Sequence, residues 1–234
     1  MAIITISRQF GCSGEYVGER VAKKLGYQFV NNEIIQFIAI LTSTPAAVVR
    51  SFDEEYHSNI TATLSKYIDL NMFIDIVRDD PFVKCETAEC KILPEHTSFF
   101  EENYKSDPIF DSESFQKMVE RIIIKLSQKD NVVIMGRGGQ IILKDHPNTL
   151  HVKVYAPKEK RIEWVMNRDK IDFKTAKKKI EEIDKRRADF IAHYYNSDIN
   201  DINLYHLLIN IYKFDIEQAS EIITDTVRKH FKSI

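Results

Sequence analysis

Two short stretches combine glycines with an arginine, and both residue types suit the binding of an anion. The first runs from Arg8 through Gly11 to Gly14, and the second is Gly136-Arg137-Gly138-Gly139. Small residues let backbone N–H groups converge on a phosphate or carboxylate, and a guanidinium offers forked donors to the same groups. The pattern predicts two anion-binding turns. A tight turn without a ligand remains open for the first, and an exposed arginine for the second.

The first turn lacks the lysine of the usual phosphate-binding loop, G-x-x-x-x-G-K-[ST]. Counting from the preceding apolar run places Gly14 at the lysine position, and a shift by one residue places Glu15 there. Tyr16 is a poor substitute for the compact Ser or Thr that binds magnesium. The guanidinium of Arg8 could supply the charge that the lysine would have given.

Further charged residues of interest lie in a long helical region between 157 and 195. Arg161 and Arg168 are seven positions apart and share a helical face, while Asp184 and Arg187 are neighbours at i,i+3. A solvated face with ordinary ion pairs is the common meaning of such a run. The alternative is a lid whose arginines close over a transferring phosphoryl group and exclude water.

The elements that must position these residues alternate along the chain. Five apolar, strand-like runs are separated by helical patterns, and a helix over Gly14–Leu25 follows the first turn. This alternation predicts an α/β fold of three layers with a five-stranded parallel sheet, and ligands bind at the carboxyl ends of such strands. The predicted strands are Ala2–Ser7, Tyr27–Val30, Asn131–Met135, Leu150–Tyr155 and Leu204–Ile209.

The middle of the chain interrupts this alternation. Residues from about 33 to 80 have a mostly helical pattern, and residues 81–108 show no clear period. The spacing of Cys85, Cys90 and His96 fits no common zinc pattern, so we predict no metal site built from protein ligands. The expected organisation is a single domain with a core at about 1–32, 112–157 and 201–234, an insertion at 33–111 and a lid at 158–200.

Composition narrows the classes of partner. The 234 residues carry a net charge of −2, with 33 basic and 35 acidic side chains, which does not indicate a general nucleic-acid surface. The most apolar stretch, residues 34–49, is too short and too polar to span a bilayer. Three cysteines and no signal-peptide pattern favour a cytoplasmic protein with free thiols. We therefore expect small-molecule substrates, without nucleic acid or membrane; the pattern leaves the oligomeric state open.

Taken together, these segments resemble the cytidylate kinase-like family, a branch of the P-loop nucleoside monophosphate kinases. The residues that carry the resemblance are "ITISRQFGCSGEYVGERVAKKLG", "NNEII", "GRGGQIILKDHP", "LHVKVYAPKEKRIEWV" and "IDKRRADFIAHYYNSDINDINLYHLLIN". They cover most of the chain outside roughly 51–128. The resemblance implies a P-loop kinase-like fold with a helical acceptor region and an arginine-bearing lid. It also implies transfer of the ATP γ-phosphoryl group to a nucleoside monophosphate of the CMP or dCMP type, with Mg²⁺ between the phosphates.

The resemblance also implies roles for individual residues. ATP would lie over the phosphate loop, with Arg161 nearby, and the acceptor would lie between Arg137 and the helices of 33–80, with Asn32 and Asp184 contributing. Three arginines would stabilise the transferring group. The expected catalytic residues are Arg8, Arg168 and Arg187, and those of the loop are Gly11, Cys12, Ser13, Gly14, Glu15 and Tyr16.

The chain departs from the family pattern at several of these positions. Glu15 stands where an arginine is common, Gly138 where cytidylate kinases have an aspartate, and Tyr205-His206-Leu207 where Tyr-Asp-Leu is usual. These changes favour a second interpretation, a non-catalytic nucleotide-binding or regulatory protein that kept the fold. A kinase for a non-nucleotide acceptor is a third interpretation.

Overall fold

The computed structural model describes residues 2–41, 46–53 and 112–231. They belong to two compact units, one within Met1–Asn31 and Ser127–Ile234 and the other within Asn32–Leu126. The predicted division into core, insertion and lid stays a prediction. Most of the predicted insertion, including the Cys85, Cys90 and His96 spacing, lies outside the described residues.

A five-stranded sheet organises the first unit. Its strands run parallel in the order β2-β3-β1-β4-β5, so β1 lies at the centre between β3 and β4. The α/β fold with a five-stranded parallel sheet, predicted from the sequence, is confirmed. The strands are β1 Ile3–Arg8, β2 Gln28–Val30, β3 Val132–Met135, β4 Thr149–Tyr155 and β5 Leu207–Asn210.

Helices separate the strands as the apolar periodicity predicts. Of those that bear on the site, α1 follows β1 directly, and α6 and α7 lie between β4 and β5. The helices of the described residues are α1 Gly14–Leu25, α2 Glu33–Leu41, α3 Ala46–Ser51, α4 Ser112–Ser127, α5 Gly139–Ile142, α6 Lys158–Asp169, α7 Phe173–Tyr195 and α8 Ile216–His230, with a 3₁₀ turn at Ile202–Leu204.

The core holds the central strand in place. All six residues of β1 are buried, which is typical of a parallel strand covered on both faces. On one face Ile4 and Ile6 join a cluster with Val17 and Val21 of α1 and Ile223 of α8. Burying these apolar side chains fixes the carboxyl end of β1, and so it fixes the position of Arg8 and the turn that follows.

Two details differ from the sequence prediction. The helical region 157–195 is two helices, because Lys170 adopts a left-handed conformation with φ 56° and ends α6. The last strand begins at Leu207 rather than Leu204, because Asp201 caps the 3₁₀ turn by accepting a 2.9 Å hydrogen bond from the Asn203 N–H. The change of direction between α6 and α7 brings both helices against the loop after β1.

Candidate phosphate-binding site

The loop between β1 and α1 has a backbone suited to an anion. Gly11 has φ 80° and Ser13 has φ 57°, both in the left-handed region. The Ser13 side chain makes no capping hydrogen bond, so it does not occupy the N–H groups of the first turn of α1. Free N–H groups at a helix N-terminus are where phosphates bind in many proteins. The loop therefore fits a phosphate ligand.

The contact between Gly14 and Arg8 explains the missing lysine. A Cβ atom added at Gly14 would lie 2.7 Å from the Cβ and 3.1 Å from the Cγ of Arg8. No residue with a side chain fits at position 14 unless Arg8 moves. Arg8 is itself only 5% exposed, so its stem occupies the volume that a side chain at position 14 would need. The cation at this point of the site therefore comes from the end of β1.

Glu15 places a carboxylate beside this cation. Its Oε1 atom lies 3.7 Å from the Nη2 atom of Arg8, and the same oxygen accepts a 3.1 Å hydrogen bond from the side-chain amide of Asn31. The Glu15 side chain is 34% exposed, while Asn31 is buried at the end of β2. The Glu15 carboxylate is therefore held by side chains at the ends of two strands and is still partly exposed to solvent.

The main chain at Phe10 is anchored by a pair of charged residues from α6 and α7. Its N–H donates to Asp184 Oδ1 at 2.8 Å, and its carbonyl accepts from Arg161 Nη1 at 3.1 Å. Arg161 Nη1 and Asp184 Oδ2 are 2.5 Å apart, and Arg161 Nε donates to the Ala156 carbonyl. These bonds give Arg161 and Asp184 a direct part in shaping the loop.

The side chain of Phe10 is anchored as well. It packs against a small cluster between α6 and α7 whose members include Ile162 and Ile180. The guanidinium carbon of Arg168 and the ammonium of Lys179 lie 5.3 and 5.7 Å from the centre of its ring. Cations at this distance are attracted by the ring face. The loop is therefore joined to both helices through the main chain and the side chain of one residue.

Arg187 joins this arrangement from α7. It is buried, and its Nη1 atom donates a 3.0 Å hydrogen bond to the carbonyl of Arg8. Burial raises the pKa of the Cys12 thiol, while the positive charges of Arg187, Arg161 and Arg8 act in the opposite direction. All three guanidiniums thus lie within electrostatic range of the loop. The Cys12 thiol remains protonated and donates to the Gln9 carbonyl at 2.9 Å.

The Gly-Arg turn follows β3, which neighbours β1. Arg137 is fully buried with φ 54°, and its Nη1 atom donates to the Met135 carbonyl at 3.2 Å. Gly138 has φ 76°, and a Cβ atom there would lie 2.8 Å from Cζ of Tyr195. The Tyr195 hydroxyl donates to the Arg137 carbonyl at 3.4 Å. Tyr195 therefore fills the space where many side chains at position 138 would project, an aspartate among them.

A cleft of about 680 Å³ adjoins the loop. Its volume is in the range of small-molecule sites. Ile211 and Ile216 contribute from the segment after β5, and Trp164 is a large aromatic surface that could stack on a planar ring. The side chains that border it on the loop side are Cys12, Ser13 and Tyr16.

The described residues do not form a metal site of their own, in contrast to the loop that suits a phosphate. Within the ranges that the structure describes, no group of three or more His, Cys, Asp or Glu could hold a metal ion. Mg²⁺ usually keeps several waters and binds through one or two carboxylates together with substrate phosphates. Glu15 supplies a carboxylate in the loop, so the residues fit a metal that is shared with a nucleotide.

The structure brings most of the predicted residues to one place. Arg161 and Asp184 bond to the main chain of Phe10, and Arg187 bonds to the carbonyl of Arg8. Arg168 lies against the Phe10 ring and pairs with Asp169. Asn32 uses its backbone carbonyl to accept from the N–H groups of Ile35 and Gln36 at the start of α2. The assigned roles stay predictions.

Several residues at the site escaped the sequence prediction. Phe10 acts through its main chain, which carries no sequence signal, and Trp164 is a single aromatic in a charged helix. Asn31 was adjacent to the predicted Asn32, and the strand-end position of Asn31 could have distinguished the two. Tyr195 could have been found only as a partner for the glycine at 138, and sequence alone does not pair them.

Comparison with known proteins decides the family. A model of the cytidylate kinase-like family matches residues 3–213. The chain belongs to this family. Membership in this family supports a kinase function with nucleotides as ligands. Cytidylate kinases are also among its curated relatives, so the resemblance predicted from the motifs is confirmed.

These relatives are distant. The chain is 26% identical over 170 residues to the cytidylate kinase of Methanoregula boonei, a match that covers 71% of this chain and 87% of that protein. The match to the cytidylate kinase of Archaeoglobus fulgidus is 26% over 171 residues, 71% of this chain and 88% of that protein. That of Methanocaldococcus jannaschii is 30% identical over 112 residues, 47% of this chain and 62% of that protein.

A solved structure shares the fold. The crystal structure of an uncharacterized protein from Eubacterium ventriosum superposes with a TM-score of 0.60 at 20% identity, and the match covers 98% of this chain and 99% of that one. The described ranges contain no helix with the length and apolar composition needed to cross a bilayer.

Proposed function

We propose that the chain is an ATP-dependent phosphotransferase that acts on a nucleoside monophosphate of the CMP or dCMP type, or on a related small acceptor. The observation that carries the proposal is the joining of the loop to α6 and α7. Phe10 and Arg8 of the loop region bond through their main chain to Arg161, Asp184 and Arg187. Phosphoryl transfer depends mainly on positioning and on positive charge around the transferring group, and this arrangement is consistent with both requirements.

The residues divide into groups with different tasks. When bound, ATP would supply the phosphoryl group and Mg²⁺ would offset the charge between its phosphates. Backbone N–H groups from Gly11 to Gly14 would hold the phosphates of ATP, and the cleft beside Trp164 would hold its adenosine. Arg8, Arg168 and Arg187 would stabilise the negative charge of the transferring group.

The contacts of Arg161 and Asp184 favour a positioning role for both. Arg161 directs bonds to the carbonyls of Ala156 and Phe10 and pairs with Asp184. Asp184 in turn holds the N–H of Phe10. Both act on substrate through the loop in this proposal, whereas Arg137 would hold the acceptor phosphate.

One observation favours the second candidate, a nucleotide-binding protein without turnover. Glu15 lies 3.7 Å from Arg8 and places a negative charge where a phosphate loop usually gathers positive charge. If Arg8 keeps this partner when a nucleotide binds, its charge is not available to the transferring group. Both candidate functions therefore predict nucleotide binding, and only the phosphotransferase predicts turnover.

The test is a coupled assay of ADP release across CMP, dCMP, UMP, AMP, GMP and phosphate-acceptor metabolites, with wild-type protein and the Arg137→Ala variant. We expect turnover with a pyrimidine monophosphate, and we expect Arg137→Ala to lose acceptor-dependent turnover while it still binds ATP. Arg137→Lys keeps the charge and most of the volume, and it guards against a folding defect at a fully buried position. Circular dichroism checks the fold of each variant.

An exposed arginine is the matched control. Arg228 on α8 has a side chain that is 59% exposed and pairs with Asp225, so Arg228→Ala should leave turnover unchanged. Undiminished turnover in a folded Arg137→Ala variant would remove Arg137 from the site. Binding of ATP without turnover for any acceptor would favour the second candidate.

A further inference from the structure

Glu15 is the one acidic side chain among residues 8–16, and it faces the cation that replaces the lysine. Its Oε1 atom lies 3.7 Å from Nη2 of Arg8 and accepts a 3.1 Å hydrogen bond from the Asn31 amide. The hydrogen bond to Asp169 is the main cause that raises the pKa of Arg168, and the negative charge of Glu15 acts weakly in the same direction. Glu15 is thus within electrostatic range of two arginines assigned to the transferring group.

This placement puts the carboxylate in competition with a phosphate. A guanidinium binds carboxylates and phosphates with the same forked donors, so a phosphate that binds the Nη2 edge of Arg8 would share or displace the contact with Glu15. Arg8 is buried and its stem is fixed against Gly14, so it cannot turn away from the carboxylate easily. The Glu15 side chain is 34% exposed and held by Asn31, so the acid is the more adaptable partner.

The exchange has an electrostatic consequence. Once Arg8 meets a phosphate, the Glu15 carboxylate lies beside a second negative group, and like charges at close range repel strongly where water is partly excluded. A divalent cation between carboxylate and phosphate removes this repulsion, and carboxylate plus phosphate oxygens is a ligand set that Mg²⁺ accepts. Metal-free ATP, which carries more negative charge than its magnesium complex, would meet the full repulsion.

We infer that Glu15 is an internal counter-ion of Arg8 that makes nucleotide binding depend on a divalent cation. The carboxylate occupies Arg8 in the free protein, opposes metal-free ATP and accepts ATP together with Mg²⁺. Glu15 therefore makes the site discriminate between metal-free ATP and ATP bound to Mg²⁺. This inference rests on the proposed function, because it requires that ATP binds at the loop.

The test is a binding experiment that needs no turnover. Isothermal titration calorimetry measures the Kd of ATP in excess EDTA and in excess Mg²⁺, for wild-type protein and for Glu15→Gln. The Kd in EDTA divided by the Kd in Mg²⁺ measures how strongly ATP binding depends on the metal. We expect Glu15→Gln to tighten metal-free ATP and to lower this ratio by at least about fivefold, the lower end of typical coupling between two sites.

Two further variants make the result specific. Glu221→Gln on α8 removes the same charge from a residue that lies beside Lys24 in the last turn of α1, about 15 Å along the helix from the loop. It should leave the ratio as in wild type. Glu15→Ala removes both the charge and the hydrogen bond from Asn31, and it should lower the ratio as Glu15→Gln does. Thermal melts without ligand establish that each variant is folded.

The outcomes separate this inference from the proposed function. If wild-type protein binds ATP and Glu15→Gln leaves the ratio unchanged or raises it, the counter-ion role of Glu15 is wrong while the proposed function stands. If the ratio falls equally in Glu221→Gln, net charge explains the effect and the role is again wrong. If neither wild type nor variant binds ATP in either condition, the proposed function fails and this inference fails with it.

Discussion

Replacing Asp184 should weaken the attachment of the loop after β1 to α6 and α7, and the size of the effect follows from the contacts of Asp184. In Asp184→Ala the N–H of Phe10 loses its 2.8 Å acceptor, and Arg161 loses the carboxylate 2.5 Å away. The Arg161 side chain is only 5% exposed, so its charge stays buried with backbone carbonyls as its remaining partners. Both changes act on residues that hold the loop against α6 and α7.

The magnitude can be bounded from burial. Breaking a fully buried ion pair by removing one partner costs about 3–5 kcal/mol. The Asp184 side chain is 28% exposed, so solvent screens part of the interaction, and we expect Asp184→Ala to lower the free energy of unfolding by about 2–3 kcal/mol. Asp184→Asn keeps an oxygen that can accept from the Phe10 N–H, so it should cost roughly half as much.

The assay is urea unfolding followed by fluorescence and circular dichroism, together with ATP titration of each variant. An ion pair on the same two helices is the matched control. Lys158 and Glu181 are 2.6 Å apart with side chains 42% and 47% exposed, so Glu181→Ala should change stability little despite the short distance. The Asp184→Ala variant should also bind ATP more weakly, because the loop is no longer held at Phe10.

A double variant tests the physical cause. Arg161→Met combined with Asp184→Ala removes the buried charge along with its partner, so it should recover part of the stability that Asp184→Ala loses. If Asp184→Ala is as mild as Glu181→Ala, or if the double variant is no more stable than Asp184→Ala, the ion pair does not hold the loop. Equal losses in Asp184→Ala and Asp184→Asn would assign the whole effect to the charge and none to Phe10.

Two further predictions concern stability. Gly138→Ala should lower the free energy of unfolding by more than about 1 kcal/mol, because φ is 76° and the new Cβ would meet the Tyr195 ring, and urea unfolding measures it. Gly26→Ala, where φ is 69° and no atom lies within 4 Å, carries the backbone strain without the clash, and an equal loss there would contradict the role of Tyr195. Burial, followed by the charge of His206, lowers the pKa of His151 to about 4, so the folded state resists a proton that the unfolded chain takes up near 6.5. Stability should therefore fall as pH decreases from about 6.5 towards 4, with a slope of up to about 1.4 kcal/mol per pH unit, and pH-dependent unfolding of His151→Gln should show a flatter profile.

The sheet could be predicted from the sequence because its strands are short, apolar and bounded by turn residues. Predicted strand ends agree with the structure to within one residue for the first four strands. The fifth was placed too early, because Leu204 belongs to a turn that Asp201 caps, and an apolar residue in a capped turn resembles the start of a strand. The strand order depends on which buried faces meet, which periodicity within one strand does not reveal.

The site was predictable in its residue types and less so in its contacts. Glycines before α1 and around Arg137 predicted two tight turns, and the structure has turns there with positive φ at Gly11 and Gly138. That Arg161 and Arg187 would bond to loop carbonyls could not be read from their helical spacing. These bonds join residues about 150 and 180 positions apart, so they depend on how α6 and α7 fold back over the sheet.

If the loop binds phosphates as proposed, its contacts suggest how arginines could take the place of the usual lysine. A lysine within the loop would be a flexible point charge, whereas a guanidinium has five donors in a rigid plane and can bond to a carbonyl and to a second acceptor at once. Arg187 donates to the carbonyl of Arg8, which would fix the plane of its charge before a ligand binds, while Arg161 donates to the carbonyl of Phe10 and positions the loop. Preorganised charge of this kind stabilises a transition state without further rearrangement. The arrangement therefore depends on α6 and α7 more than a lysine loop would, and the bonds of Asp184 to Phe10 and Arg161 connect the loop to those helices.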